Sequence, residues 1–276
     1  MWVLVGNVFI SQLILISMTK IMGILNVTPD SFSDGGKFFD TSKAVEHALQ
    51  MEKDGADFID VGGESTKPGS EPVSEEEELR RVIPVIEAIK DKVKVPISID
   101  SYKATVVDKA IIAGATWAND VSGLRDEEMM KVVAKHNVPV VCMHMQGDPK
   151  TMQDKPHYED VVTDIISDFK KVKEKAESFG VKEILFDPGI GFGKTVEHNL
   201  TILKRLEEFK VLGKIVIGPS RKSFIGKLTG AEVDGRLGGT LGAVVISMLN
   251  GADIIRVHDV KEAKQAVEIV KAIRNA

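Results

Sequence analysis

Cysteine is nearly absent. Cys142 is the only one in 276 residues, so no disulfide can form within the chain, and its place inside the apolar run VPVVCM marks it as a buried, inert thiol suited to a reducing cytoplasm. There is also no basic block: 36 Lys and Arg are scattered against 41 Asp and Glu, for a formal net charge of -5. That balance argues against a nucleic-acid surface and requires any anionic ligand to meet local cations. Two nucleotide fingerprints are missing. GIGFGK at 189 lacks the full dinucleotide glycine pattern, and no GxxxxGK[ST] occurs, so nucleotide binding is disfavoured. The apolar start MWVLVGNVFISQLILIS has neither a basic n-region nor a clear small-residue cleavage site, and Gly6-Asn7 splits it into two β-like halves. The expectation is a short N-terminal β-hairpin over residues 1–19, rather than a signal or membrane segment, with Met18 as an alternative start.

The composition that remains is ordinary for a globular protein, with 43% hydrophobic and 28% charged residues, and the length fits one large α/β domain or two small ones. From Lys20 onward, Val- and Ile-rich runs alternate with segments of helical periodicity, the pattern of successive βα units. The runs are IMGIL, DFIDV, VPISID, TWANDV, VPVVCM, EILFD, KIVIGPS and DIIRVH. Three of the intervening helices end in DGAD, AGAT or NGAD, where Gly suits the left-handed residue that stops a helix. Eight strands, nearly all apolar on both faces, fit a closed (β/α)8 TIM barrel over residues 20–276 better than an open sheet. SEEEEL at 74 reads as a capped helix start favoured by the helix dipole.

In such a barrel, chemistry gathers at the C-terminal strand ends. Those ends carry Asn26 with a long polar loop; GGESTKPGS; Asp100 and Ser101; Asn119 and Asp120; His144 and Gln146; Asp187 with PGIGFGK; PSRKSFIGK; and Arg256, His258 and Asp259. So many charges at one mouth need a polar ligand or one another. Ser101, Asp120 and Asp259 each precede a helix and are equally well read as N-caps. Asp100 and Asp187 end their strands, and a carboxylate there suits the guanidine-like edge of a planar heterocycle. Asn119 suits a ring edge of mixed polarity, and Lys222 can donate to a ring carbonyl or nitrogen. Arg256 and His258 project on one side, beside Asn26 of the adjacent strand, as an anion or metal-phosphate site. Ser223 and nearby backbone N–H groups at a helix start favour a carboxylate or phosphate.

NVTPDSFSDGG, DVGGESTKPG, SIDS, NDVSG, MHMQG, FDPGIGFGK, GPSRKSFIG and IIRVHDV, in this order, resemble the dihydropteroate synthases from about Lys20 to the C-terminus. The resemblance implies a cytoplasmic transferase of folate biosynthesis that condenses 6-hydroxymethyl-7,8-dihydropterin diphosphate with 4-aminobenzoate, releasing diphosphate, and that is a sulfonamide target. It implies a pterin held by Asp100, Asn119, Met143, Asp187, Lys222 and Arg256, and a diphosphate held by Asn26, Thr66, Arg256 and His258. Mg²⁺ is the implied cofactor, with Asn26 as its protein contact. The implied aminobenzoate site comprises Phe32, Thr66, Lys67, Pro68, Phe192 and Ser223. Asn26, Asp34, Asp100 and Lys222 are the implied catalytic residues, with 27–36 as a closing flap, and a homodimer through the later helices is expected. Lys67 departs from the family's usual Arg and predicts a looser anion contact. The alternatives are a pterin-dependent methyltransferase on the same barrel, or an inactive pterin-binding homologue.

Overall fold

The computed structural model describes residues 19–28, 41–65, 72–147, 152 and 155–276. The N-terminal hairpin expected over 1–19 lies, apart from Thr19, outside the described residues. Eight strands coincide with the eight apolar runs: β1 (Lys20–Asn26), β2 (Phe58–Gly62), β3 (Ile97–Asp100), β4 (Trp117–Asp120), β5 (Val140–Met143), β6 (Ile184–Asp187), β7 (Val216–Ile217) and β8 (Ile254–Val257). Their order is β6-β5-β4-β3-β2-β1-β8-β7, and every pairing is parallel. The last seam, between β6 and β7, is closed by one parallel bridge, Phe186↔Ile215, beside an N–H···O bond of 3.0 Å from Phe186 to Lys214. The sheet is therefore the expected (β/α)8 TIM barrel.

Helices between the strands form the outer shell among the described residues: α1 (Thr41–Lys53), α2 (Glu75–Ile89), α3 (Ala104–Ala113), α4 (Glu127–His136), α5 (Val161–Ser178), α6 (Val196–Lys204), α7 (Ser223–Thr229), α8 (Leu237–Leu249) and α9 (Val260–Asn275). Ser74 caps α2 by accepting from the Glu77 N–H at 3.2 Å, as its sequence predicts. Gly55, Gly114 and Gly251 have φ of 98°, 134° and 92°, the positive values their helix-ending role requires. Two connections differ from the periodicity. VEHNLTILKRLEEF is not one helix: α6 ends at Lys204 and a 3₁₀ turn, Leu206–Val211, follows. The break is held from outside, because Asn250 Nδ2 donates to the Leu203 carbonyl at 2.7 Å. The β7–α8 connection contains the additional short helix α7.

Strand residues serve two cores by the period of two. Outward side chains such as Ile59, Ile99, Cys142 and Ile255 join the helices in the main core. Inward, Met22, Phe58, Val141, Leu185, Val216 and Ile254 pack with Trp117 as a separate apolar plug. Phe58 and Trp117 meet edge to face, with ring centroids 4.8 Å apart. Each such side chain stabilises the fold by roughly 1.5–3 kcal/mol through burial, and together they give the barrel a dry floor.

Candidate active site

One step of the period above that floor, the inward faces turn polar. Phe58 is followed by Asp60, Trp117 by Asn119, Leu185 by Asp187 and Ile254 by Arg256, while Val141 is followed by Met143. Parallel register sets Ser98 beside Asp60 and Asp100 beside both Gly62 and Asn119. Arg256 is the tie: its Nε donates to Asp60 Oδ2 at 2.6 Å, and its Nη2 donates to Asp100 Oδ2. Asp60 Oδ2 also accepts from Asn119 Nδ2 at 2.9 Å. Asp60 Oδ1, Asp100 Oδ1 and Ser98 Oγ are buried with no hydrogen-bond partner in the protein. Acceptors left over in a buried, otherwise satisfied network suit hydrogen-bond donors brought by a ligand.

The ionisation of these groups follows from burial first. Burial pushes the Asp100 carboxyl up to about 7, against the pull of Arg256. Asp187 is raised for the same reason, although it accepts from the Gly189 N–H at 2.7 Å and faces Lys222. Burial brings Lys222 down to about 8, with Asp187 opposing. Burial works against the charge of Arg256, but Asp100 and Asp60 outweigh it and hold its pKa above the ordinary value. Breaking such a buried pair from one side costs about 3–5 kcal/mol, so the guanidinium is fixed in place.

The anion-side residues lie beside this network. His258 follows β8, and its Nδ1 sits 3.0 Å from Ser220 Oγ, which also accepts from the His258 N–H at 3.2 Å. Burial, then Arg256, pushes His258 down to about 3, so it is neutral at physiological pH. Asn26 ends β1 opposite Gly62. Ser223 opens α7 immediately after Lys222, the N-cap residue. Lys222 Nζ lies 4.2 Å from the ring centroid of Phe192, which packs with Val121, Met143, Met145 and Met152. A cation–π contact thus joins a residue of the expected pterin site to one of the expected aminobenzoate site.

The loop carrying Phe192 lies against the end of β5. A Cβ at Gly189 (φ 72°) would come within 2.0 Å of the His144 carbonyl oxygen. Lys194, 4% exposed, clamps the same junction, donating to Phe192 O at 2.9 Å and lying 3.1 Å from His144 Nδ1. Burial lowers its pKa to about 7. At the second loop, Lys103 bridges Glu64 and the fully buried Glu78.

The structure therefore brings together Asp100, Asn119, Met143, Asp187, Phe192, Lys222 and Arg256, with His258, Ser223 and Asn26 at the same end of the barrel. Phe32, Asp34, Thr66, Lys67 and Pro68, and most of the expected flap, lie outside the described residues. None of the three N-cap readings holds as a side-chain cap. Asp120 accepts from Ser122 and Leu124 N–H groups in a turn, Ser101 accepts from Lys103 N–H, and Asp259 instead grips Arg221 with both oxygens, at 2.6 and 3.1 Å. Sequence reasoning missed Asp60, Lys194 and the Glu64–Lys103–Glu78 cluster. Asp60 had a signal: a carboxylate in mid-strand, two residues before Gly62, has no cap to serve and must face the barrel interior or the shell. Among the described residues no group of three or more His, Cys, Asp or Glu could hold a metal ion, and no helix is long and apolar enough to cross a membrane.

Comparison with known proteins bears on this geometry. The family of pterin binding enzymes matches residues 22–258. A dihydropteroate synthase of Clostridium beijerinckii is 50% identical over 260 residues, which are 92% of this chain and 94% of that protein. A crystal structure of the Yersinia pestis dihydropteroate synthase with a sulfonamide drug complex superposes with a TM-score of 0.90 at 45% identity, covering 95% of this chain and 96% of the other. The Xanthomonas albilineans dihydropteroate synthase in complex with 7,8-dihydropteroate does so with a TM-score of 0.86 at 40% identity, covering 95% of each chain.

Proposed function

The chain belongs to the dihydropteroate synthases among the pterin binding enzymes, and on that premise we propose how its barrel mouth joins 6-hydroxymethyl-7,8-dihydropterin diphosphate to 4-aminobenzoate. The observation that carries the reading is the polar layer on a dry floor: Asp100, Asn119, Asp187, Lys222 and Arg256 converge where a flat heterocycle with a guanidine-like edge finds acceptors, a mixed amide and donors. Asp100 Oδ1, buried and unpartnered, is available to a ring N–H. Met143 supplies an apolar surface and the Arg256 guanidinium a planar one for the ring. Asp100 accepts best when ionised, so its pKa of about 7 couples ring binding to pH.

The amine of 4-aminobenzoate is neutral at physiological pH, so no side chain has to deprotonate it before attack. The barrier lies in the departure of diphosphate. Arg256 and His258 face that leaving group; with Ser220 donating to Nδ1, neutral His258 presents Nε2–H to a phosphate oxygen. Magnesium suits the donor set, because Mg²⁺ prefers substrate phosphates and water to an all-protein cage, so one side-chain oxygen from Asn26 suffices; when bound, it spreads the charge that develops on diphosphate. Thr66 joins the diphosphate contacts. Phe192, Ser223, Phe32, Lys67 and Pro68 shape the aminobenzoate site, with the N-terminus of α7 facing the carboxylate, and Asp34 acts from the flap.

Exposed Ile246 on α8 and Ile269 and Ile273 on α9 support a homodimer through these last helices, which light scattering after gel filtration would read as twice the chain mass. The buried thiol of Cys142 suits the cytoplasm. Incubating the purified protein with both substrates and Mg²⁺ should yield 7,8-dihydropteroate and one equivalent of diphosphate. Formation of neither product by folded protein would refute the assignment.

A further inference from the structure

We infer that Asp60 is a positioning residue that sets the order of donor and acceptor which Asn119 offers to the pterin, and thereby selects the 2-amino-4-oxo ring over the corresponding 2,4-dioxo ring. This rests on the proposed pterin site, which it deepens.

Asn119 is 4% exposed and Asp60 is fully buried. A side-chain amide has nearly the same shape in its two flipped forms, so packing alone does not distinguish its oxygen from its nitrogen. Asp60 does. Its Oδ2 lies 2.9 Å from Asn119 Nδ2 and also accepts from Arg256 Nε at 2.6 Å. A carboxylate held by a guanidinium only accepts, so turning the amide over would set its carbonyl oxygen against a carboxylate oxygen at the same distance. In that buried place the flipped form loses a hydrogen bond and gains a repulsion. The amide is locked, with one N–H spent on Asp60 and its second N–H and its carbonyl in fixed places.

Asp60 is itself over-determined. It is held from β8 by Arg256, which is in turn held by Asp100, and it stands directly above Phe58 of the floor on its own strand. The lock therefore spans β2, β4 and β8 and belongs to no loop.

The consequence is chemical. In the 2-amino-4-oxo ring, N1 is an acceptor and the neighbouring amino group a donor. In the 2,4-dioxo ring N1 carries hydrogen and the neighbouring oxygen accepts, so the pattern along that edge is reversed. An amide free to flip would meet either ring equally well; an amide locked by Asp60 meets only one. Asp187 also prefers an amino group, but it lies on another strand and does not act through Asp60, so the two contributions separate by mutation.

The test is the ratio of dissociation constants for 6-hydroxymethyl-7,8-dihydropterin and its 2-oxo counterpart, measured by calorimetry on the full chain. In Asp60→Ala no acceptor faces Asn119 Nδ2, whereas in Asp60→Asn Arg256 Nε would still turn the new amide's oxygen toward it, so the alanine variant is the one that frees the Asn119 amide to flip. The ratio should narrow about tenfold, the worth of one mismatched buried hydrogen bond, whereas a merely structural role would weaken both ligands alike and leave the ratio unchanged, which would overturn the inference. Should Asp60→Ala fail to fold, Asn119→Ala, which leaves the Asp60–Arg256 pair intact, should narrow the ratio by a similar factor; an unaltered ratio there refutes the proposal independently. A folded wild type that binds neither ring would instead sink the proposed function on which it rests.

Discussion

Replacing Asp100 by Asn should change how the stability of the protein depends on pH, by an amount the structure sets. Burial raises the Asp100 carboxyl to about 7, Arg256 notwithstanding, while in the unfolded chain it titrates near its ordinary value of about 3.9. The folded state thus holds this proton more tightly than the unfolded state does. Between those two values, stability contributed by the group falls as pH rises, by ~1.4 kcal/mol per pH unit, and is constant above 7. The whole effect is about 4 kcal/mol. Other groups titrate in the same window: His258 and His144, both pushed down to about 3 by burial, act with the opposite sign. They cancel in the difference between wild type and Asp100→Asn, and the loss of the Asp100–Arg256 contact in the variant offsets that difference without giving it a slope. Urea denaturation of both proteins from pH 4.5 to 8.5 measures that difference. The wild type should lose ground steadily against the variant up to pH 7 and no further; a difference that is flat with pH would refute the reasoning, because Asp100 would then be ionised throughout.

The same ionisations shape activity. The rate constant kcat/KM for the pterin diphosphate should rise as Asp100 ionises near pH 7 and decline as Lys222, lowered to about 8, loses its proton; in Lys222→Met the alkaline decline should be gone from the residual activity. Lys103→Met leaves Glu78 buried and without its cation, so thermal unfolding should show a loss of about 3–5 kcal/mol, and an unchanged midpoint would show that the cluster contributes nothing. Gly189→Ala places a methyl group 2.0 Å from the His144 carbonyl oxygen at a φ of 72°. The loop must shift, taking Phe192 with it, and the KM for 4-aminobenzoate should rise several-fold while that for the pterin diphosphate changes less.

Most of the architecture was legible because each strand carries its own signal. Runs such as VVCM and ILFD are buried on both faces, and only a parallel sheet covered by helices makes that composition stable. Asp100, Asn119, Asp187 and Arg256 were legible because they end or nearly end those runs, where a barrel opens. What escaped depends on distant partners. The break after α6 is held by Asn250, 47 residues away in sequence, and no local periodicity records it. Asp60 sits one step of the strand period below the mouth and works through Asn119 and Arg256, 59 and 196 residues distant. Lys194 looks like the surface lysine of a glycine-rich loop until the fold sets His144 against it. Position before a helix does not decide where a carboxylate goes: Asp120 accepts from turn N–H groups, and Asp259, although it is the N-cap residue of α9, spends its carboxylate on the Arg221 guanidinium.

The apolar floor also gives the enzyme an optical property. Trp117 is part of that floor, edge to face with Phe58 and two residues below Asn119 on the same strand. It is one of only two tryptophans in the sequence, the other being Trp2. An indole this close beneath a site that takes a light-absorbing heterocycle is quenched by energy transfer whenever the site fills. In a Trp2→Phe variant the barrel would therefore report its own occupancy by emission alone, without any added label and before any bond is made or broken.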